Sequence, residues 1–250
     1  SKEITLLGQN VNAYSYDKKK LTDLILEISK IKDLKRIRYT TSHPRDFSKD
    51  LIQLHKDCEK LMPLIHLPVQ SGSNKILENM NRKHTVEEYL DIIESLKESK
   101  PNIELSSDFI IGYPGENEYD FEQTIKLRKK VKFVNSYSFI FSARPGTPAF
   151  NLKKIDENLA KERLINFQKI SKKIKTEYRQ TLLSKTMPVL FENKTKDGKY
   201  FGRDVHYNSV IVDTNENLTG KIKNIKITEL NQNTLFGKIN SKIIKEDFAA

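Results

Sequence analysis

Polar, glycine and proline residues follow five short apolar runs of this 250-residue chain, each at the point where the run ends. Amide, hydroxyl, carboxylate and guanidinium groups occur among them, so the set could hydrogen-bond a polar ligand and pair with its charges. In sheets of parallel strands, ligands are contacted from the carboxyl ends of the strands. We therefore expect one composite binding site rather than five separate turns. The segments are residues 8–10, 41–44, 68–72, 112–116 and 142–146.

The elements that must position these segments alternate between strand and helix patterns over the first 150 residues. Apolar residues at a helical spacing begin at Leu21, and Thr85 with Glu88 forms a capping box at the start of another helix. Regular alternation predicts parallel βαβ units and an α/β fold class with a partial (β/α) barrel. The predicted strands are residues 4–8, 36–41, 64–67, 103–111 and 135–142; the predicted helices are 21–31, 47–61, 74–80, 85–97 and 118–131.

The rest of the chain has a different pattern. Residues 156–183 predict one long, basic, amphipathic helix. From about Met187 onward, short strand-like runs and the turn signal Asp197-Gly198 predict a small closed all-β barrel, OB-like in size. The sequence thus divides into residues 1–150, the partial barrel; 151–183, a basic helical connector; and 184–250, the small barrel.

Charge and cysteine content limit the classes of function. The net charge is +11, and the excess is largest in residues 151–183, with nine cations and four carboxylates. A basic balance favours nucleic-acid binding, although a generally Lys- and Asn-rich composition would give a similar excess. No apolar run approaches the ~20 residues of a membrane span, and the first residues do not form a signal peptide. The single cysteine, Cys58, excludes a disulfide framework and favours a cytoplasmic location.

Five strings, in order along the chain, resemble the radical-SAM tRNA methylthiotransferases. They occupy residues 3–14 (EITLLGQNVNAY), 36–44, 66–73 (HLPVQSGS), 106–116 and 139–149, and the closing barrel resembles a TRAM domain, an RNA-binding module. The resemblance implies a partial radical-SAM barrel followed by a TRAM barrel, with the tRNA anticodon stem-loop as partner. Residues 8–14 and 142–149 are most similar to the subgroup that thiomethylates isopentenyl-adenosine next to the anticodon. The threonylcarbamoyl-adenosine subgroup is the alternative within the family.

One departure from the family is large. The family carries a Cys-x3-Cys-x2-Cys motif after its first barrel strand and three further cysteines in an amino-terminal domain, and none of them is present here. We therefore expect an amino-terminally truncated fragment, inactive alone, of a parent that uses S-adenosyl-L-methionine and two 4Fe-4S clusters. This chain would ligate neither cluster and no other metal. A barrel without its first strand exposes an edge, which predicts a dimer through that edge or reduced stability.

The resemblance implies that the strand ends contact S-adenosylmethionine. Amide oxygens of Gln9 and Asn10 would accept hydrogen bonds from its ammonium group, and Arg144 would bind its carboxylate. Turns and helix caps explain several of these positions equally, as does an Asp108–Arg144 ion pair, and the 112–116 turn fits either a ligand or a cap. His66 fits a core histidine better than a ligand contact. The predicted cofactor-binding residues are Gln9, Asn10, Ser42, Gln70, Ser71, Asp108, Ile110 and Arg144, with no catalytic residue among them.

Cations interleaved with aromatic residues fit phosphate contact combined with base stacking. A solvated surface explains single lysines as well, and Tyr200 could belong to the barrel core. Two rival functions fit the lack of cluster cysteines: a non-catalytic RNA-binding protein, and a barrel enzyme that uses S-adenosylmethionine or a phosphate ligand without a cluster. The predicted RNA-binding residues are Arg82, Lys83, Lys172, Lys199, Tyr200 and Arg203.

Overall fold

The computed structural model describes residues 1–40 and 42–240. Thr41, predicted to end the second strand and to begin the 41–44 segment, lies outside the described residues. The same is true of residues 241–250, the end of the predicted 184–250 barrel.

Strands and helices alternate through the first part of the chain, as the sequence predicts. The helix at 118–131 has the predicted bounds, whereas the predicted helix at 47–61 is shorter because Ser48 caps its start and Cys58 leaves the helical conformation. The elements are β1 (Glu3–Leu6), β2 (Ser15–Tyr16), β3 (Lys19–Lys20), α1 (Leu21–Ser29), β4 (Arg36–Tyr39), α2 (Lys49–Asp57), β5 (Leu64–His66), α3 (Asn74–Asn79), α4 (Val86–Ser99), β6 (Glu104–Ile111), α5 (Glu118–Val131) and β7 (Asn135–Ile140).

Five of these strands lie side by side in chain order and run parallel. β1 pairs with β4, and β5, β6 and β7 form a second group. Two backbone hydrogen bonds join the groups, from Ile37 N to Lys60 O (2.7 Å) and from Met62 N to Ile37 O (2.9 Å). The β2–β3 hairpin forms a separate two-stranded sheet. The partial (β/α) arrangement predicted from the sequence is confirmed.

The two faces of this sheet differ in polarity because side chains alternate along a strand. One face buries apolar residues against the helices, among them Ile37, Ile65, Phe109 and Ile111. The opposite face carries polar residues at the intervening positions, in register across the strands: Glu3, Arg36, Arg38, His66, Glu104, Ser106, Asp108, Asn135 and Tyr137. The apolar face forms the core, which leaves the polar face for ligands.

The second part is a closed barrel of five short strands, in the order β10-β12-β11-β8-β9. Its core holds Val189, Phe191, Val210 and Ile225. Gly202 allows the strands to approach closely, since a Cβ there would collide with the Leu190 carbonyl. The strands are β8 (Thr186–Lys194), β9 (Tyr200–Arg203), β10 (Ser209–Val212), β11 (Ile222–Leu230) and β12 (Leu235–Ile239).

Helix α6 (Glu157–Gln180) connects the two parts and is fixed to both through buried arginines. Its Arg163 pairs with Glu116 (3.0 Å) in the turn after β6. Arg128 of α5 donates to Ser171 Oγ (3.1 Å) in the middle of α6. Near the end of α6, Arg179 donates to the carbonyl of Gln232 (2.6 Å) between β11 and β12.

The small barrel also contacts the sheet directly. The buried guanidinium of Arg36 donates to the main-chain carbonyls of Arg203 (2.9 Å) and Pro188 (2.8 Å). Two positions along β4, the guanidinium carbon of Arg38 lies 3.8 Å from the centre of the Tyr207 ring. The barrel therefore docks against the polar face of β4. None of the helices in the described residues is both long and apolar enough to cross a membrane.

Replacing Arg36 with methionine should weaken this docking. The variant keeps most of the side-chain volume but removes charged hydrogen bonds to two carbonyls, so we expect the free energy of unfolding to fall by roughly 2 kcal/mol. Urea denaturation of the purified protein measures the change. Lys35→Ala, at the exposed neighbouring position, is the control and should leave stability unchanged. Equal stability of Arg36→Met and the control would contradict a docking role.

Candidate functional site

The loops that follow β1 and β4 are tied together by side chains. Asn12 donates through Nδ2 to His43 O (2.9 Å), and its Oδ1 accepts from His43 N (2.8 Å). Asn10 donates to Asp46 Oδ2 (2.6 Å). Both polar ends of the Asn12 amide are engaged, so Asn12 serves the loop structure. The side-chain oxygen of Asn10, Oδ1, takes no part in this hydrogen bond.

Two buried polar atoms in these loops lack a hydrogen-bond partner within the described part of the chain: Asn10 Oδ1 and Ser42 Oγ. Buried polar atoms are nearly always hydrogen-bonded, so such a pair at adjoining strand ends points to a ligand. Asn10 and Ser42 are predicted cofactor residues. Gln9, also predicted, is exposed beside them.

Gln70 is held in an unusual backbone conformation at the end of the β5 segment. Its φ of 76° lies in the left-handed region, while its N–H donates to Asp108 O (3.0 Å) and its carbonyl accepts from Ile110 N (2.9 Å). A non-glycine residue there costs on the order of 1 kcal/mol, and such strain collects at ligand sites. The half-buried side chain of Gln70 therefore lies next to β6, at the level of Asp108 and Ile110.

Ser71 has a structural role. Its side chain is fully buried, its hydroxyl lies 3.3 Å from Thr124 Oγ1, and it accepts from Ser73 N (3.2 Å). A Cβ on the adjacent Gly72 would lie 2.5 Å from Gln123 O, so this segment packs tightly against α5. The hydroxyl of Ser71 is therefore engaged by the fold, although Ser71 directly follows Gln70 in the chain.

Asp108 and Ile110 share the polar face of β6, but the partner of Asp108 differs from the one considered from sequence. Asp108 Oδ2 lies 3.4 Å from His66 Nε2, and His66 Nδ1 lies 2.9 Å from Ser106 Oγ. Arg144 is exposed and forms no ion pair with any described residue. The interpretation of His66 as a core residue was wrong, since strand alternation turns it away from the buried Ile65.

A cavity of about 190 Å³ opens above this histidine–aspartate contact. The polar face of the sheet forms its floor, and Tyr207 of the small barrel forms part of its wall. The cavity therefore exists only where the two parts of the chain meet. Its other lining residues include Arg38, Thr40, Leu64, His66, Ser106, Asp108, Asn135 and Tyr137.

The turn after β6 is occupied by the fold rather than open to a ligand. Gly112 has a φ of 75°, and its N–H donates to Glu116 Oε1 (3.1 Å). Burial raises the pKa of Glu116, against the opposing effects of that N–H and of Arg163. A side chain at Gly112 would press on Ala160 of α6. The sequence offered a ligand contact or a helix cap for this turn. The cap of α5 is the next residue, Asn117, and the contacts of the turn itself are with α6.

Comparison with known proteins identifies the family. The profile of the Radical SAM superfamily matches residues 1–128, and that of the TRAM domain matches residues 180–239. The chain belongs to the radical SAM superfamily. It is 54% identical over 98% of its length to the tRNA-2-methylthio-N(6)-dimethylallyladenosine synthase of Pelagibacter ubique, and 51% identical over 95% to that of Wolbachia pipientis subsp. Culex pipiens. The chain spans 56% of each of these relatives.

The fold of a solved radical SAM enzyme supports the assignment. Coproporphyrinogen III oxidase from Escherichia coli superposes with a TM-score of 0.51 at 12% identity, covering 86% of this chain and 55% of that enzyme. At this identity the likeness concerns the fold alone. The predicted order of a radical-SAM partial barrel followed by a TRAM barrel is confirmed.

The side chains of this radical SAM protein fit one of the two family cofactors. Asn10 and Ser42 offer unmet buried atoms to S-adenosylmethionine. An iron–sulfur cluster does not fit. The only cysteine of the chain, Cys58, is buried at the end of α2, and the described residues contain no group of three His, Cys, Asp or Glu placed to hold a metal ion.

The residues predicted to bind RNA are distributed over several elements. Arg82 and Lys83 lie between α3 and α4, and Lys172 is exposed on α6. Lys199 pairs with Asp197 (3.0 Å), and Arg203 pairs with Glu192 (3.2 Å). Tyr200 is only 2% exposed and packs in the barrel core. The structure therefore gives Tyr200 a packing role, the alternative considered from sequence, and leaves its ring no face for stacking.

His84, beside the first loops, should make stability depend on pH. Burial, together with the charges of Arg82 and His43, lowers the pKa of His84 to about 4. His84 therefore stays neutral in the folded protein, whereas in the unfolded chain it becomes protonated below about pH 6.5. Stability should therefore fall as pH drops from about 7 to about 5, and His84→Asn should reduce that fall by on the order of 1 kcal/mol. Urea unfolding at both pH values measures it. An unchanged fall in the variant would contradict the assignment.

Proposed function

We propose that the protein of which this chain forms part is a tRNA methylthiotransferase that acts on dimethylallyl (isopentenyl) adenosine next to the anticodon. The observation that carries the proposal is identity of about half, over 95–98% of the chain and so through both the radical SAM part and the TRAM barrel, with relatives named for this reaction. The tRNA anticodon stem-loop is the proposed partner and the cytoplasm the proposed location.

The domain division at residues 1–150, 151–183 and 184–250 belongs to the same proposal. So does inactivity of this chain alone, since it lacks the cysteines for a cluster. Among the described residues β1 pairs on one side only, with β4. Its free side would take the missing first strand in the parent, or a second copy when that strand is absent.

For S-adenosylmethionine, we propose contacts at the carboxyl ends of the strands. Asn10 Oδ1 would accept from the ammonium group, and Ser42 and Gln70 would add hydrogen bonds. Arg144, exposed and unpaired among the described residues, is available for the carboxylate.

Further along the polar face, Asp108 would accept from a ribose hydroxyl and Ile110 would cover the adenine. In the full-length protein, S-adenosylmethionine with a reduced cluster would supply the hydrogen abstraction, the second cluster the sulfur, and a second S-adenosylmethionine the methyl group. The residues of this chain bind and orient these molecules and keep water from the sheet face.

The reaction can be tested on the full-length protein, purified without oxygen and with its iron and sulfide quantified. With S-adenosylmethionine and tRNA bearing dimethylallyl-adenosine, we expect 2-methylthio product by mass spectrometry of the nucleosides. If product formed only from tRNA bearing threonylcarbamoyl-adenosine, that nucleoside would be the substrate instead of the proposed one. An iron-free protein that binds tRNA would overturn the enzyme proposal in favour of an RNA-binding function.

The role of Asn10 can be separated from that of its loop. Asn10→Ala removes the unmet acceptor, and we expect S-adenosylmethionine affinity of the full-length protein to fall about tenfold, or about 1.4 kcal/mol. Asp46→Ala is the matched control, because it breaks the same Asn10–Asp46 hydrogen bond but keeps the amide oxygen. Isothermal titration measures both. Equal losses in the two variants would show that Asn10 acts only through loop structure.

A further inference from the structure

A groove larger than the cavity runs beside β7. Its volume is about 460 Å³, and its walls come from β7, α6 and the turn between β11 and β12. Asn135 and Tyr137 line both the groove and the cavity that holds the His66–Asp108 contact. The groove therefore leads from the small barrel to the polar face of the sheet. The remaining lining residues are Ser136, Ser138, Phe139, Gln168, Ser171, Lys172, Lys175, Thr176, Gln232 and Asn233.

The charge of the groove is of one sign. Among the described residues, two lysines and no carboxylate line it, although the whole chain contains 33 Asp and Glu residues. Neither Lys172 nor Lys175 forms an ion pair within the part of the chain that the structure describes. Lysines elsewhere on α6 do, as Lys161 pairs with Glu157 (2.7 Å) and Lys173 approaches Glu177 (4.0 Å). The groove-lining cations are thus available to an external anion.

Two buried arginines strengthen this positive field. Arg128 donates to Ser171 Oγ, and Arg179 donates to Gln232 O, so each holds one lining residue in place. Arg128 Nη1 and Arg179 Nη2 have no hydrogen-bond partner in the described residues. Neither guanidinium forms an ion pair there, although the charge of Asp204 opposes the lowering of the Arg179 pKa by burial. The charge of Arg128 adds to that of the two lysines.

The floor of the groove presents aromatic rings. Tyr137 and Phe139 are two residues apart on β7 and so point to the same side, and they are 52% and 59% exposed. Exposed aromatic rings beside cations form stacking platforms for unpaired bases. The amide and hydroxyl groups of the other lining residues suit phosphate oxygens and 2′-hydroxyls. An acidic peptide would use the charges but not this combination of rings and neutral hydrogen-bonding groups.

We propose that this groove binds the backbone of a single-stranded RNA segment, with Lys172 and Lys175 on its phosphates and Tyr137 and Phe139 under its bases. The proposal rests on the proposed function, and it specifies how the RNA would approach the site. A base next to Tyr137 enters the cavity, because that residue lines both spaces. The exposed loop of a stem-loop RNA has the single-stranded character that the groove requires.

The test uses the full-length holoprotein and a fluorescent RNA stem-loop with the anticodon-loop sequence of the substrate tRNA. The double variant Lys172→Ala/Lys175→Ala should weaken binding about tenfold at low salt. It should also reduce the slope of log Kd against log salt concentration by about one to two. Tyr137→Ala/Phe139→Ala should weaken binding at least about tenfold with little change in that slope. Lys161→Ala/Lys173→Ala is the matched control, with the same loss of charge on the same helix, and should stay within about threefold.

Each other outcome has a separate meaning. If the groove variants bind RNA like the control while wild type makes methylthio product, the groove proposal fails and the proposed function stands. If wild type neither binds the RNA nor modifies tRNA, both fail. If the groove variants instead change the oligomeric state in light scattering and leave RNA affinity intact, the groove is an interface between copies, and the RNA proposal is overturned. S-adenosylmethionine affinity equal to wild type confirms that the variants remain folded.

Discussion

The position of α6 depends on buried guanidinium groups, and the rest of the functional surface depends on α6. Arg163 reaches a carboxylate, Glu116, whereas Arg128 and Arg179 donate to neutral oxygens in the part of the chain that the structure describes. Burial lowers the pKa of Arg128 to about 10, so its charge is retained at neutral pH. A buried charge without a counter-charge is costly and is weak evidence for stability. What these contacts supply is position: one end of the helix is fixed to the turn after β6 and the other to the small barrel, which sets the walls of the groove.

A second charge sets the orientation of the small barrel. Arg36 lies at the beginning of β4, and its side chain is on the polar face of the sheet. Its guanidinium donates to two main-chain carbonyls of the small barrel. Burial lowers its pKa, while the charges of Glu3 and Asp204 oppose that change. Because main-chain carbonyls are fixed in direction, these two hydrogen bonds fix the orientation of the small barrel relative to the sheet as well as its position. Tyr207 then closes the cavity next to Arg38, so the site and the docking of the barrel share one set of interactions.

The sequence predicted features that depend on local signals. The helix at 118–131 was predicted with its observed bounds, and in the structure a capping box of Asn117 and Asp120 starts it. The five parallel strands followed from regular alternation. The features it missed depend on tertiary register. His66 was assigned to the core because it lies inside a strand, yet its side of β5 faces Ser106 and Asp108. The buried position of Ser71 depends on the approach of α5, and no short-range pattern records that approach. The alternatives considered for Tyr200 could be separated only by closing the barrel around it.

The five strand ends look alike in sequence, but hydrogen bonding divides them into two kinds. The hydroxyl of Ser71, the side-chain amide of Asn12 and Oε1 of Glu116 are engaged within the fold, so a ligand would have to break existing bonds to reach these atoms. Asn10 and Ser42 bury atoms that the described residues leave unmet. A buried unmet oxygen costs about 1–3 kcal/mol, and a ligand that satisfies it recovers that cost on binding. Affinity for a small polar molecule should therefore concentrate after β1 and β4. The turn after β6 instead holds α6, the helix that forms one wall of the groove.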